Sequence, residues 1–374
     1  MTDINSIAFA LDPTNVPAFL LDWEVTKLCN LDCTYCTTGV IWGSHDNTTK
    51  HPPVAECLKS IDFMYEYVDL YMSHKKLSQR KVNLNVYGGE SLFHPDIVEI
   101  LEACRSKYEH YRDRWYLTLG CTTNGIVGKN LWAKVVPLID EITMSYHSEN
   151  LPKQKQQFKD NVLYLKQHHN KFKVIIMMHN NEELFNDSLD IVEFCKEHDI
   201  RYLVKPVDRP EPNWKYTGEQ FNKLKTFWMV PTTNSIDSVS AINEGRACCG
   251  GRKLSINGDL KSSVKFVPRQ GFQGWSCSVN WFFLFVQQLT GDVYTNKDCR
   301  MSTTGRVEPL GNINDTSSII DTLREQLATK SMPIIHCIKD ICRCGFCAPK
   351  AETEKEFMDL ITRNVPVDVF QKEC

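Results

Sequence analysis

The chain has 374 residues, of which 42% are hydrophobic and 24% are charged, and its formal net charge is −3. A chain of this length can fill two apolar cores, and its composition is that of a globular protein rather than a disordered or fibrous one. Lysine and arginine are scattered along the sequence, so bulk electrostatics give no strong sign of nucleic-acid binding.

The first residues resemble neither the basic segment nor the apolar core of a secretory signal, and the apolar run 281–286 is too short to cross a bilayer. We therefore expect a cytoplasmic protein with no membrane partner. The sequence contains 16 cysteines. Because cytosolic thiols are kept reduced, metal or cluster ligation explains the clustered cysteines better than a disulfide framework does.

Between residues 18 and 205, six strand-like segments alternate with segments of helical periodicity. One helix is expected to begin near Pro95, which suits a first helical turn, with Ile97, Leu101, Cys104 and Tyr108 on one face. Strands and helices at this spacing predict parallel βαβ units in an α/β fold, whose ligands gather at the carboxyl ends of the strands. The predicted strands are 19–26, 81–87, 116–122, 141–146, 173–178 and 201–205.

Three cysteines follow the first predicted strand, at Cys29, Cys33 and Cys36. Three thiolates can hold three irons of a cubane iron–sulfur cluster and leave the fourth iron open to another ligand. Short cysteine spacings also occur in zinc knuckles, in disulfides and among ordinary buried thiols. The spacing therefore favours a cluster without excluding zinc.

The next two predicted strands also end in motifs that could bind a ligand. Gly88-Gly89-Glu90 closes the second strand. Such a glycine pair lets backbone approach a ligand closely, and the glutamate can accept a hydrogen bond from a ligand ammonium group. Asn124-Gly125 closes the third strand, although Asn-Gly is also a strong turn signal anywhere in a protein. Either motif alone would be explained by a turn.

The three motifs in this order, with a tyrosine before the last cysteine, resemble the radical S-adenosylmethionine (radical SAM) superfamily. The resemblance implies a partial (β/α)6 barrel, in which a [4Fe–4S] cluster on Cys29, Cys33 and Cys36 binds SAM and cleaves it reductively to a 5′-deoxyadenosyl radical. These cysteines would thus be both metal ligands and the catalytic centre. The positions implied to contact SAM are Tyr35, Gly88, Gly89, Glu90, Asn124, Ser145 and Lys205.

Several of these positions have specific roles by resemblance. Tyr35 is expected to pack over the cluster and the adenine, Ser145 to meet the SAM ribose or carboxylate, and Lys205 to pair with the carboxylate. A solvated lysine explains Lys205 equally well. His147 and His179, at strand ends, could face the substrate and relay a proton, but such histidines are more often satisfied polar residues.

A proline-rich stretch at 206–216 predicts the exit from the barrel. We accordingly expect a radical SAM barrel over 1–210, a bridging segment over 211–250 that includes a helix near 218–229, and a small cysteine-rich α+β domain over 251–374. In that last region a strand at 281–289, the turn Thr290-Gly291-Asp292 and Val293-Tyr294 predict a hairpin.

This hairpin has Cys277 before it and Cys299 after it, and a closing Cys342–Cys347 cluster follows further on. The order resembles the SPASM and Twitch extensions of radical SAM enzymes, which bind one or two auxiliary [4Fe–4S] clusters. The spacing departs from the full SPASM arrangement, so we expect at least one auxiliary cluster and leave a second open. The expected ligands are Cys277, Cys299, Cys344 and Cys347, with Cys337, Cys342 and Cys374 as possible additions.

The late cysteines are also compatible with zinc. Four thiolates suit a zinc ribbon, and a non-enzymatic zinc protein used for binding is the alternative of another class. The isolated cysteines are expected to be core thiols. These are Cys57, Cys104, Cys121 and Cys195.

The resemblance implies an oxidoreductase that receives electrons from a flavodoxin- or ferredoxin-type donor and abstracts a hydrogen atom from its substrate. We rank oxidative modification of a peptide or protein side chain above dehydrogenation or epimerisation of a small molecule, such as a carbohydrate, nucleotide or amino-acid derivative. For epimerisation, an unligated Cys248 or Cys249 could donate the hydrogen atom.

Overall fold

A nine-stranded, mostly parallel sheet organises the part of the chain that the structure describes. The structure is a computed structural model. It describes residues 2–3, 18–36, 41–42, 50–74, 80–207, 214–229, 255–257, 265–267, 272–277, 279–281, 283–296, 308–329, 331–332, 334–338 and 350–355. Seven of the cysteines discussed above therefore lie outside the described residues: Cys248, Cys249, Cys299, Cys342, Cys344, Cys347 and Cys374.

Six strands pair with one another in the order in which they occur along the chain, and every pair is parallel. They are β1 (Phe19–Thr26), β2 (Lys81–Gly88), β3 (Tyr116–Thr123), β4 (Glu141–His147), β5 (Phe172–Met178) and β6 (Tyr202–Pro206). Sequential pairing is the order of a (β/α) barrel rather than of a doubly wound sheet. The predicted α/β fold is confirmed, and so are all six predicted strands, to within one residue at each end.

Helices follow the strands and cover one face of the sheet. They are α1 (Val54–Ser73), α2 (Ile97–Glu109), α3 (Lys129–Val135), α4 (Pro152–His168), α5 (Glu182–Glu197), α6 (Gly218–Met229) and α7 (Ser317–Ala328). In α2 the predicted apolar face is confirmed, because Ile97, Leu101 and Cys104 are buried. The start of α5 is fixed by Asn181, whose side chain accepts a hydrogen bond from the Leu184 N–H at 3.1 Å. The expected helix near 218–229 is α6.

The two faces of the parallel strands differ in chemistry. Apolar side chains such as Leu84 and Val86 point into the main core beneath the helices. On β2, β3 and β4, most alternate positions carry half-buried amides and hydroxyls instead: Asn83, Asn85, Thr118, Thr122, Thr143 and Ser145. A parallel sheet usually buries apolar side chains on both faces. The second face of this sheet is therefore built for polar contacts, and we refer to these six residues as the polar face.

The predicted hairpin is confirmed by the antiparallel strands β7 (Phe283–Gln287) and β8 (Asp292–Tyr294), which are followed by β9 (Gly311–Asn312). Gly291 has a φ of 75°, which suits the turn between β7 and β8. The sequence did not predict where the hairpin lies. β7 runs parallel to β1, and the complete sheet has the order β9-β8-β7-β1-β2-β3-β4-β5-β6.

Polar side chains lie across the junction between β7 and β1. Gln287 donates a hydrogen bond to buried Glu24 at 2.8 Å, and Gln288 accepts hydrogen bonds from Trp23 at 2.9 Å and Ser60 at 2.6 Å. Buried polar groups are stable when they are paired in this way. The junction thus joins regions on both sides of the predicted domain boundaries, and the division into domains stays a prediction.

Short strands complete the described structure. They are Thr2–Asp3 with Ser331–Met332, Leu28–Cys29 with Ile41–Trp42, Ser255–Asn257 with Lys265–Val267, and Ser276–Cys277 with both Ile335–His336 and Lys350–Ala351. Among the helices that the structure describes, none is long and apolar enough to cross a membrane.

Candidate functional site

The three clustered cysteines lie just beyond the carboxyl end of β1, where the strand order predicts a ligand site. Cys29 and Cys33 are buried and Cys36 is half-buried. A tight turn joins the last two, since the Cys36 N–H donates to the Cys33 carbonyl oxygen at 3.0 Å. The loop thus presents three thiols from one short stretch of chain.

In the metal-free chain, the surroundings of these thiols raise their pKa values. Burial raises the pKa of Cys29 to about 12, and the charge of Glu90 adds to the effect. Burial, followed by the charge of Glu149, also raises the pKa of Cys33. Each of these two thiols also interacts electrostatically with Cys36, so the three sulfur atoms lie within electrostatic range of one another. A bound metal deprotonates such thiols outright and supplies the missing positive charge.

These residues fit an iron–sulfur cluster by the chemistry of their donors. Two N–H groups point at the Cys29 sulfur, from the Leu31 backbone at 3.4 Å and from the Asn124 side chain at 3.8 Å, and hydrogen bonds to sulfur are one of the means by which proteins tune such clusters. Among the described residues, no three His, Cys, Asp or Glu side chains form a group that could hold a single metal ion. In a cubane, each thiolate binds an iron of its own.

Gly88 and Gly89 lie against the backbone that leads into the cysteine loop. The Gly89 N–H donates to the Thr26 carbonyl oxygen at 2.8 Å, and the Glu90 N–H donates to the Leu28 carbonyl oxygen at 2.9 Å. A Cβ added at Gly89 would lie 2.5 Å from the carbonyl oxygens of both Lys27 and Leu28. The glycine pair therefore allows close packing of β2 against the cysteine loop. Its predicted contact with SAM stays a prediction.

The Glu90 carboxylate joins the ends of β2 and β3. It accepts hydrogen bonds from the Leu92 N–H at 2.9 Å, the Thr123 hydroxyl at 2.7 Å and the Asn124 N–H at 2.5 Å. Burial raises the pKa of Glu90 to about 7, although the three hydrogen bonds act in the opposite direction. A carboxylate offers about four acceptor positions, so one is left for the predicted ammonium contact.

The raised pKa of Glu90 gives a prediction for the metal-free protein. The unfolded chain releases this proton near its ordinary pKa of 4.5 and the folded chain near 7. Stability is therefore lost as the pH rises through that window, by on the order of 3 kcal/mol from this one group. Glu90→Gln removes the titrating group. We expect urea unfolding at about pH 5 and about pH 8 to give a weaker pH dependence in the variant than in the wild type. Equal pH dependence in the two proteins would contradict the assignment.

Asn124 contacts the cysteine loop directly. Its amide donates to the Asn30 side chain at 2.7 Å as well as to the Cys29 sulfur, and its oxygen accepts the Ile126 N–H at 2.9 Å. Asn30 in turn donates to the Ile126 carbonyl oxygen at 3.0 Å. The predicted site residue is thus brought to the cysteines. Sequence analysis missed Asn30, although its position between Cys29 and Cys33 was the available signal.

Tyr35 is buried in a group of aromatic rings at the ends of β4 and β5. Its hydroxyl lies 2.7 Å from His147 Nδ1, and its ring stacks on the His147 ring with centroids 5.8 Å apart. His179 and Trp214 approach the same ring edge-on, at 5.8 Å and 6.4 Å. Burial raises the pKa of Tyr35 and lowers that of His147 to about 4, so both side chains are neutral at pH 7. Trp214 was missed because it follows the barrel exit and has no local pattern.

Glu149 is a second residue that the sequence did not reveal. Its carboxylate accepts hydrogen bonds from both the backbone N–H and the hydroxyl of Thr34, and it lies 3.4 Å from His179 Nε2. Burial alone would raise the pKa of Glu149, but the hydrogen bonds from His179 and Thr34 lower it overall. This carboxylate is therefore ionised and bound to the residue between two of the cysteines.

The remaining predicted SAM contacts lie on the same sheet. Ser145 is half-buried on β4, and its cross-strand neighbour on β5 is Ile175. Lys205 is exposed on β6, where its cross-strand neighbour is Met177. Both roles stay predictions.

The described part of the candidate auxiliary site is a small apolar cluster. Cys277 is buried in it, and Cys337 packs against it. The two cysteines belong to neighbouring segments, since the Cys337 N–H donates to the Trp275 carbonyl oxygen at 2.8 Å. The cluster also contacts the main sheet through Phe285, which stacks on Tyr87 with centroids 6.3 Å apart. Of the predicted auxiliary ligands that the structure describes, Cys277 and the secondary candidate Cys337 thus lie close together.

The isolated cysteines are core thiols, as expected. Cys57, Cys104, Cys121 and Cys195 are all buried in the main apolar core. Burial raises the pKa of each to about 12, which keeps these thiols protonated.

Comparison with known proteins gives similarity only at the level of solved structures. No protein-family model matches the chain, and no curated protein matches it significantly. The chain is similar to Streptococcus suis SuiB, with 13% identity over 84% of this chain and 68% of that one and a TM-score of 0.48. For SuiB bound to S-adenosylmethionine the identity is 12%, the coverage 82% and 65%, and the TM-score 0.49. For BtrN in complex with AdoMet and 2-DOIA the identity is 12%, the coverage 84% and 88%, and the TM-score 0.35. These similarities concern the backbone arrangement and assign no function to this chain.

Proposed function

We propose that the chain is a radical SAM enzyme whose cluster is held by Cys29, Cys33 and Cys36. The observation that supports it best is the direct contact of two further motifs with the cysteine loop. The Glu90 N–H donates to the carbonyl oxygen of Leu28, the neighbour of Cys29, and Asn124 donates to the Cys29 sulfur. Three separate parts of the sequence, each typical of this superfamily, thus meet at the carboxyl ends of neighbouring parallel strands.

In this proposal the protein's own residues bind SAM, orient the loop that carries Cys29 and shield the site from water. A [4Fe–4S] cluster held by Cys29, Cys33 and Cys36 would, when bound, pass on an electron for the reductive cleavage of SAM to a 5′-deoxyadenosyl radical. Glu90 accepts a hydrogen bond from the amino group of SAM, and Asn124 fixes the loop that carries Cys29. Tyr35 and its aromatic neighbours keep water away, which matters because a reactive radical must be held close to its target and away from competing hydrogen donors.

For the substrate, we propose a peptide or protein side chain that undergoes oxidation. A second candidate, a small polar molecule that is dehydrogenated or epimerised, is favoured by the polar face. Its side chains are neutral amides and hydroxyls. Two of them are linked, since Thr122 donates to Asn85 at 3.1 Å, and Asn85 in turn donates to the carboxyl group of Asp22 on β1 at 3.3 Å. Such groups suit a ligand rich in hydroxyl or amide groups.

We further propose one auxiliary [4Fe–4S] cluster on Cys277, Cys299, Cys344 and Cys347. Further candidate ligands are Cys337, Cys342 and Cys374. The chain re-enters the short sheet at Lys350, which is paired with Cys277, shortly after residues 342–347. This return supports a role for the late cysteines near Cys277. A flavodoxin- or ferredoxin-type protein in the cytoplasm would supply the electrons.

The proposal is tested by anaerobic reconstitution with iron and sulfide, followed by incubation with SAM and dithionite. We expect a brown protein that releases 5′-deoxyadenosine and methionine. A colourless protein that retains zinc after reconstitution and leaves SAM intact would contradict the proposal and favour a zinc-binding protein.

The auxiliary cluster is tested separately by the triple variant Cys29/Cys33/Cys36→Ala. We expect it to retain about four irons per chain, since one four-iron cluster would be left. Retention of about eight would indicate two auxiliary clusters. A variant without iron would contradict the auxiliary cluster and leave the proposal for the first three cysteines intact.

A further inference from the structure

The two residues between Cys33 and Cys36 are each bonded to the end of β4 or to the segment just after it. Tyr35 is hydrogen-bonded to His147, and Thr34 donates twice to Glu149, from its N–H at 2.7 Å and from its hydroxyl. Cys33 therefore lies next to a residue whose backbone and side chain are both bound by one carboxylate. A single hydrogen bond would leave the turn free to rotate about it. Two hydrogen bonds, from the N–H and the hydroxyl of Thr34 to one carboxylate, restrict that rotation.

Glu149 is itself fixed from its other side. His179 Nε2 lies 3.4 Å from Glu149 Oε1, and His179 Nδ1 accepts the Asn181 N–H at 2.9 Å. Because Nδ1 accepts a hydrogen bond, the neutral ring carries its proton on Nε2, which faces the carboxylate. Asn181 is also the residue that caps α5. A continuous series of contacts thus runs from the start of α5 through His179 and Glu149 to Thr34.

Glu149 also places a negative charge beside the cysteine loop. Its side chain is only 15% exposed, so water screens its charge weakly. The reduction potential of an iron–sulfur cluster depends on nearby charge and on burial, and a negative charge disfavours the gain of an electron. The position of Glu149 next to Thr34 brings that charge close to Cys33.

We propose that Glu149 is a positioning residue that holds the turn between Cys33 and Cys36 and lowers the reduction potential of the cluster that these cysteines bind. The effect on potential rests on the proposed function, whereas the effect on the turn belongs to the metal-free chain. The two effects can be separated because Thr34 contributes hydrogen bonds that hold the turn but carries no charge that could change the potential.

The turn is tested in the metal-free chain by hydrogen exchange of the Thr34 amide, measured by mass spectrometry on fragments that cover 29–36. In Glu149→Gln the amide oxygen can still accept the Thr34 N–H, but the acceptor is no longer charged, and a hydrogen bond to a neutral group is weaker. We expect exchange at Thr34 to become about tenfold faster, since a hydrogen bond to a charged group is replaced by one to a neutral group. Thr34→Val removes only the hydroxyl, so we expect a smaller increase. Thr34→Ser keeps both donors and should exchange like the wild type.

The α5 fragment around Cys195 is the internal standard for these measurements. Faster exchange there too would mean that a variant has loosened the whole fold, and Thr34→Val, a nearly isosteric change at an exposed position, then carries the test. Unchanged protection of the Thr34 amide in both Glu149→Gln and Thr34→Val would overturn the proposed hold on the turn.

The potential is tested after reconstitution by redox titration of the cluster whose electron paramagnetic resonance signal changes when SAM is added. We expect Glu149→Gln to raise the midpoint potential, because it removes the negative charge, and Thr34→Val to leave the potential nearly unchanged. If Glu149→Gln does not raise the potential of a cluster that does respond to SAM, the inference fails and the proposed function stands. If the wild type has no cluster that responds to SAM, the proposed function fails, and the exchange result for the turn is unaffected.

Discussion

Replacement of Cys33 by alanine should abolish the release of 5′-deoxyadenosine from SAM. Cys33 is one of only three thiols in the loop, and a cluster that loses one of three protein ligands cannot be held in a geometry that binds SAM. Loss of an outer-shell partner of a metal site already costs about 10- to 100-fold in activity or affinity, so loss of a ligand should cost at least about 100-fold. The measurement is 5′-deoxyadenosine per chain, by liquid chromatography, after reconstitution under identical conditions.

Cys195→Ala is the matched control for this experiment. Cys195 is also buried, but it lies in the main core on α5, away from the cysteine loop. Removing its sulfur leaves a small cavity and should reduce stability modestly, with the release of 5′-deoxyadenosine unchanged. If Cys33→Ala released as much 5′-deoxyadenosine as Cys195→Ala, the assignment of the three cysteines would be wrong.

Replacement of Gly89 by alanine should destabilise the fold and disturb the cysteine loop together. The new Cβ would lie 2.5 Å from two backbone carbonyl oxygens, those of Lys27 and Leu28. Backbone atoms cannot move aside as a flexible side chain can, and overpacking of this kind costs about 3 kcal/mol. The segment that would have to shift leads directly into Cys29, so we also expect less iron to be bound after reconstitution.

Gly120→Ala tests whether this effect is specific. Gly120 lies on β3, and the nearest atoms to an added Cβ are 3.7 Å away, an ordinary contact distance. Alanine in place of glycine inside a strand should be neutral or stabilising by up to about 1 kcal/mol. The free energy of unfolding is measured by urea denaturation of the metal-free chain. Equal stability of the Gly89→Ala and Gly120→Ala variants would contradict the close packing of β2 against the loop.

The strands and motifs of the first 205 residues were predictable because their signals are local. The apolar alternation in 81–87 and its end at Gly88 can be recognised from a few consecutive residues. The carboxyl ends of sequentially paired parallel strands then meet at one edge of the sheet because of the topology alone. The helix face of α2 was readable for the same reason. Local patterning therefore predicted where the candidate site lies.

The contacts that shape the site were not predictable, because they join residues far apart in the sequence. Thr34 and Glu149 are 115 positions apart, and neither belongs to a periodic pattern. The motif predicted that Gly89 belongs to the candidate site. The physical reason why a glycine is needed there is close packing against the Lys27 and Leu28 carbonyls, which only the structure reveals. The pairing of β7 with β1 has no local signal either, since a strand's partner is set by the remaining open edge of the sheet.

That pairing has a consequence for how the protein matures on the ribosome. β1 is synthesised long before its partner on one side, which begins at Phe283. Until those residues have been synthesised, β1 presents an open hydrogen-bonding edge beside the buried Glu24, and open edges invite pairing with other chains. This edge of β1 is therefore closed only when a much later segment of the chain has been synthesised.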